Sequence, residues 1–149
     1  MNRQDGCEMC EDPMFAEVGS EHFRKIMDLD VSTAVLNRDW QYYEGTSTLV
    51  FRGHETELHR LTPDMRHRFA DDAARISAAL ERAFQPAKLN HALLGNIVPH
   101  LHWHLIPRRQ SDPNLKSTIW EEEIPKRQLS DEEFARLASH IRNNIRPAA

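Results

Sequence analysis

The sequence predicts an α+β domain: an antiparallel sheet of about five strands, one long helix packed on it, and a second helix at the C-terminal end. Three observations predict this. Runs rich in strand-forming residues recur at 22–28, 31–38 and 46–52, separated by short polar breaks. Apolar residues then return every three or four positions from Met65 to Ala83, the period of an amphipathic helix. Finally, histidine and bulky apolar residues alternate in His100-Leu101-His102-Trp103-His104-Leu105, the period of a strand.

The chain has 149 residues, 40% of them hydrophobic, which suits one compact domain over 1–149. Residues 1–20 read as an N-terminal arm and 121–149 as a C-terminal helical extension. No run approaches the roughly 20 apolar residues that cross a bilayer, so no membrane partner is expected. Met1–Asp5 lacks the apolar core of a signal peptide, and the expected location is cytoplasmic. Net charge is −4 with no basic block, which argues against general binding to nucleic acid. Neither G-x-x-x-x-G-K nor G-x-G-x-x-G is present, so any phosphate must be held without a glycine-rich loop.

In chain order, both cysteines fall in Cys7-Glu8-Met9-Cys10. In a cytoplasmic chain this spacing favours metal or redox chemistry over a structural disulfide. No βαβ context follows, and Glu8, Glu11 and Asp12 would raise a thiol pKa, so redox chemistry is disfavoured. The pair supplies two of the four ligands of a structural zinc, and nine histidines are available to complete it. His22–Asp28 and Val31–Arg38 read as two strands joined near Asp28-Leu29-Asp30. Asn37–Gly45 is a polar and aromatic loop, and Thr46–Arg52 is a third strand. Thr62-Pro63-Asp64 starts a helix: Thr caps it, Pro occupies the first turn and the acid lies at the positive end. Gln85-Pro86 stops it. Its charged face, Asp72 included, reads as solvated surface. Leu89–Leu94 is a short fourth strand, Gly95-Asn96 turns, and the histidine strand is the fifth. Pro107 cannot donate to a ladder, so pairing should fade there. Arg108 and Arg109 are either surface charge or a phosphate or dimer contact. Ser130-Asp131-Glu132-Glu133 is a capping box opening a helix that ends before Pro147.

On a strand beginning at His100, the three imidazoles line one face in steps of roughly 6.6 Å, with Leu101, Trp103 and Leu105 facing a core. Three imidazoles in a row build a sheet poorly and point to a reactive centre. A neutral imidazole is a nucleophile near neutral pH, and its neighbours can donate hydrogen bonds to phosphate oxygens.

His-apolar-His-apolar-His-apolar-apolar, with Gly95-Asn96-Ile97-Val98-Pro99 before it and Pro107-Arg108 after it, resembles the signature of the histidine triad (HIT) family of nucleotide hydrolases and transferases. The Asp112-Pro113 and Trp120 segment resembles a bacterial branch often labelled diadenosine tetraphosphate hydrolases. The resemblance implies a HIT-like fold, usually a homodimer, and hydrolysis or transfer at the α-phosphate of a nucleoside phosphoanhydride or phosphoramidate. It implies attack by His102 through a covalent nucleotidyl-histidine intermediate, with His104 assisting and His100 orienting. It implies nucleotide contacts from Asn37, with Asn90 or Asn96 filling a further ribose or phosphate role. Where such proteins carry zinc, the layout matches Cys7, Cys10, His54 and His100, with His59 the nearest rival to His54. Two alternatives come from other classes: a metal-dependent hydrolase using the three histidines as ligands, and a nucleotide-binding regulatory protein with little turnover.

Overall fold

The computed structural model describes residues 3–16, 19–120 and 127–146. The arm 1–20 and the extension 121–149 are therefore described in part, and the helix stop at Pro147 lies outside the described residues. Five antiparallel strands form one sheet: β1 (Phe23–Asp28), β2 (Ser32–Asn37), β3 (Ser47–Phe51), β4 (Lys88–Leu93) and β5 (His102–Arg108), in the spatial order β1-β2-β3-β5-β4. Helix α1 is one turn (Glu8–Glu11), α2 spans Pro63–Phe84 and α3 spans Asp131–Asn143.

Local chemistry sets the ends of the helices. The Thr62 hydroxyl accepts from the Met65 amide at the start of α2, and Gln85 closes it in the left-handed region at φ 46°. Ser130 and Glu133 complete a reciprocal capping box at α3. Phe69, Ala73, Ile76, Ala79 and Leu80 press α2 onto one face of the sheet, against Ala34, Leu36, Leu49, Leu101 and Leu105. Phe134, Ala138 and Ile141 of α3 join the same core.

The opposite face has two small covers. Cys7, Met9, Cys10 and Met14 of the arm pack on Val35 and Val50. Ile119, from the irregular segment after β5, packs on Tyr43 and Ile106. The strand period explains why both covers share a face: Val50, His102, His104 and Ile106 all point away from α2. Between the two covers the face is open, and that opening positions the site.

The structure corrects four expectations. Strand β5 begins at His102, because the chain still bends at His100, whose N–H donates to the Val98 carbonyl at 2.8 Å. His100 thus precedes the strand, and its ring meets the Cys7 and Cys10 thiols of the arm. Pairing does not fade at Pro107, which lies opposite Leu89. The β3 side of β5 has already ended at Leu105, so no ladder donor is missing there. Arg108 is neither surface charge nor a phosphate contact; it is 1% exposed. Its guanidinium bonds Asn90 Oδ1 (3.0 Å), Asp112 Oδ2 (3.0 Å) and the carbonyls of Asn114 (2.7 Å) and Ser117 (3.0 Å), over the Tyr43 ring. Asp72 is 1% exposed rather than solvated. It accepts from the Asp30 and Val31 amides (3.1 and 2.9 Å) and the Ser32 hydroxyl (2.6 Å), tying α2 to the β1–β2 turn.

Asp72→Ala would leave two amides and a hydroxyl without their partner, and is expected to cost about 2–4 kcal/mol. A urea unfolding midpoint lower than wild type by the corresponding amount checks this; an unchanged midpoint contradicts it.

Candidate functional site

Two constellations meet at the start of β5. The first is built by the arm. Helix α1 places Cys7 and Cys10 one turn apart, and Cys7 Sγ lies 3.5 Å from His100 Nδ1. Cys10 Sγ lies 3.5 Å from His54 Nδ1 and 3.6 Å from His100 Nδ1. All four ligand atoms fall within 4.8 Å of one another. Ligand bonds of about 2.3 Å to sulfur and about 2.0 Å to nitrogen at tetrahedral angles put sulfur and nitrogen about 3.5 Å apart, so the spacings fit a single tetrahedral ion. The donor set fits too, since soft thiolates with imidazoles suit zinc. His100 is oriented for it: Nε2–H donates to the Phe51 carbonyl at 2.8 Å, which leaves the Nδ1 lone pair toward the sulfurs. Burial pushes the Cys10 thiol up, and neighbouring Cys7 adds to this, so a bound cation would favour the Cys10 thiolate. Four protein ligands would fill a tetrahedron around such an ion and leave no open position. His59, the rival ligand, is exposed, as are His67, His91 and His140.

The second constellation faces the open part of the sheet. His102 Nδ1–H donates to the His100 carbonyl at 2.6 Å. That fixes the tautomer, so His102 Nε2 carries its lone pair. His104 Nε2 lies 3.2 Å from it and, facing an acceptor, is the N–H partner of the two. Burial pushes both imidazoles down, His104 to about 4, with the charge of His102 as a lesser cause for His104. Both rings are neutral at pH 7. They line a cavity of about 340 Å³ whose wall also includes Asn37, Asn96, Thr48, Trp40 and Trp120. Thr48 is paired with His104 across the β3–β5 ladder and donates to Asn37 Oδ1 at 2.9 Å.

The three triad histidines therefore divide. His102 and His104 face the cavity, whereas His100 turns to the thiols, so they do not converge on one ion as a three-histidine catalytic metal site requires. Asn37 and Asn96 reach the cavity wall; Asn90 is instead held by Arg108. Sequence reasoning missed Thr48, Trp40 and Trp120. The alternation in β3 marks Thr48 as lying on one face, but only the strand order tells which face carries the histidines.

The depressed His104 has a consequence for stability. Between pH 6.5 and about 4 the unfolded chain binds a proton that the fold resists, so stability is full above 6.5 and declines as pH falls through that window. Unfolding midpoints measured from pH 8 to 4 are expected to be level above 7 and to drop below 6.5, with a shallower drop in His104→Gln. An identical slope in that variant contradicts the assignment.

A family profile described as the HIT domain matches residues 21–111. No curated protein matches the sequence. Among solved structures, a histidine triad protein from Sinorhizobium meliloti has 28% identity and a TM-score of 0.75, covering 83% of this chain and 90% of that one. One from Bradyrhizobium japonicum has 28% identity and a TM-score of 0.74, covering 84% and 92%. A zinc-bound histidine triad family protein from Mycobacterium smegmatis shares the fold at 21% identity and a TM-score of 0.60, covering 80% and 83%. The alternating histidines at the mouth of β5, the sheet that carries them and the match over 21–111 lead to one conclusion: this chain belongs to the histidine triad (HIT) family.

Proposed function

We propose that this protein binds a nucleotide in the cavity before His102 and hydrolyses or transfers it at the α-phosphate, taking nucleoside phosphoanhydrides or phosphoramidates as substrates. The observation that carries the reading is the His102 ring: Nδ1–H is pinned to the His100 carbonyl, and the neutral Nε2 faces a cavity large enough for a nucleotide's phosphate and ring. In the first step the Nε2 lone pair forms an N–P bond while the bond from phosphorus to the leaving oxygen or nitrogen breaks. The leaving group departs with that electron pair and takes a proton from solvent. In the second step water attacks phosphorus and gives up a proton to solvent, the N–P bond breaks and its electron pair returns to His102 Nε2. The positive charge on the imidazole in the intermediate is shared through Nδ1–H with the His100 carbonyl. His104 Nε2–H is the donor closest to the reacting nitrogen and is assigned to a phosphoryl or leaving-group oxygen. Asn37 and Asn96 are assigned to the ribose and phosphate, while Asn90 supports the site from behind through Arg108.

In this reading one domain, with its arm and its C-terminal extension, carries the activity as a cytoplasmic homodimer. Cys7, Cys10, His54 and His100 hold a structural zinc that fixes the arm to the entrance of β5. When bound, that ion supplies a crosslink and no chemistry to the nucleotide. Among the described residues, no helix is long and apolar enough to cross a membrane.

The test is product formation from a panel of adenosine phosphoramidate and diadenosine polyphosphates, with and without a fast-acting chelator. Release of the nucleoside monophosphate in both conditions is expected. Tight binding of the panel with no product over long incubation would overturn hydrolysis and favour a regulatory binding protein.

A further inference from the structure

The wall of the cavity beside His104 is built by chain outside the family's matched span. After β5, Arg108 holds the carbonyls of Asn114 and Ser117, and Ile119 is buried on Tyr43 and Ile106. These contacts deliver Trp120, whose ring lies edge-on to His104 at 5.5 Å between centroids and 71° between planes. Trp120 is nonetheless 43% exposed, and so is Trp40, which lines the same cavity. Trp40 is braced in turn. Gln41 ties its loop to the Asn37 and Thr46 carbonyls at 2.6 and 2.9 Å, and the backbone of Trp40 bridges to Arg127. Two half-exposed tryptophans line one cavity, each on a stretch of chain fixed by its neighbours, and offer aromatic surface to a ligand. No Lys, Arg, Asp or Glu lines this cavity among the described residues, so a ring lying there meets aromatic and aliphatic walls rather than charges.

Resting on the nucleotide reading above, we propose that Trp120, with Trp40 as a second wall, is the specificity-determining platform for the flat ring of the ligand. Stacking reads the presence and area of a ring and tolerates changes on its edge. The site therefore demands an aromatic ring and discriminates weakly between the two purines.

The test is calorimetric titration with AMP, GMP and ribose 5-phosphate, which share the phosphate and sugar but differ in the ring. Wild type is expected to bind AMP and GMP with affinities within about threefold of each other, and at least about tenfold more tightly than ribose 5-phosphate. Trp120→Ala is expected to erase most of that advantage while leaving ribose 5-phosphate affinity unchanged, and Trp120→Phe to keep most of it. An unaltered preference for AMP in Trp120→Ala, or an equal loss for all three ligands, overturns the platform and leaves the nucleotide reading standing. Wild type that binds none of the three overturns both.

Discussion

His102→Asn is expected to reduce turnover by about 10⁴-fold or more while changing nucleotide affinity only a few-fold. Asparagine is close to imidazole in polarity and fits the space, but its amide has no lone pair able to form the N–P bond. Nothing nearby can take over the role. His104 presents N–H rather than a lone pair to the site, and His100 is engaged by the Phe51 carbonyl on one nitrogen and by the thiols on the other. Steady-state rates and calorimetric affinities measured on the same preparation check this. Residual turnover within tenfold of wild type would mean that the reaction does not pass through His102.

The second large effect belongs to the arm. Cys10→Ser is expected to remove zinc and lower stability by about 4 kcal/mol or more, about 8–16 °C in unfolding midpoint for a chain of this size. The size follows from what the ion holds together. Cys7 and Cys10 lie far from His54 and His100 in sequence, and the arm is otherwise held by packing on Val35, Val50, Phe23 and Val98 and by the Lys25 ammonium donating to the Phe15 carbonyl. Because the His100 carbonyl fixes the His102 tautomer, turnover in this variant is expected to fall as well. Metal analysis should give one zinc per wild-type chain and none in Cys10→Ser. Wild type without zinc, or a variant with an unchanged midpoint, contradicts the assignment.

Much of this was legible in the sequence because the signals were local. Thr62, Gln85 and Ser130 mark helix ends through their own side chains or backbone freedom, and the alternation of β2 and β3 sorts the two faces of the sheet. The metal ligand set followed from the family's layout. The rest depends on contacts between distant segments. Spacing alone does not say where a strand begins: the alternation runs from His100, whereas β5 starts at His102 and the His100 ring sits against the Cys7 and Cys10 thiols, as the family's layout implies. Asp72 sits amid charged residues on α2, and only the β1–β2 turn folding over it makes it a buried acceptor. Arg108 reads from sequence as surface charge or a phosphate or dimer contact and Asn90 as a ribose or phosphate contact; only the chain after β5, closing around the guanidinium, shows that they hold each other. Helix α1 is a single turn, too short for periodicity to register. Trp120 reaches the cavity from a segment with no regular structure, where no pattern predicts direction.

The most direct measurement is rapid quench with α-phosphate-labelled nucleotide, followed by digestion under alkaline conditions that preserve phosphoramidate bonds and mass analysis of the peptides. Acid-labile label is expected on the peptide carrying residues 100–108, located at His102, appearing within the first turnover and disappearing as product forms. Turnover of the same nucleotide with no label on the protein at any time point, or label confined to another residue, would contradict the covalent step at His102.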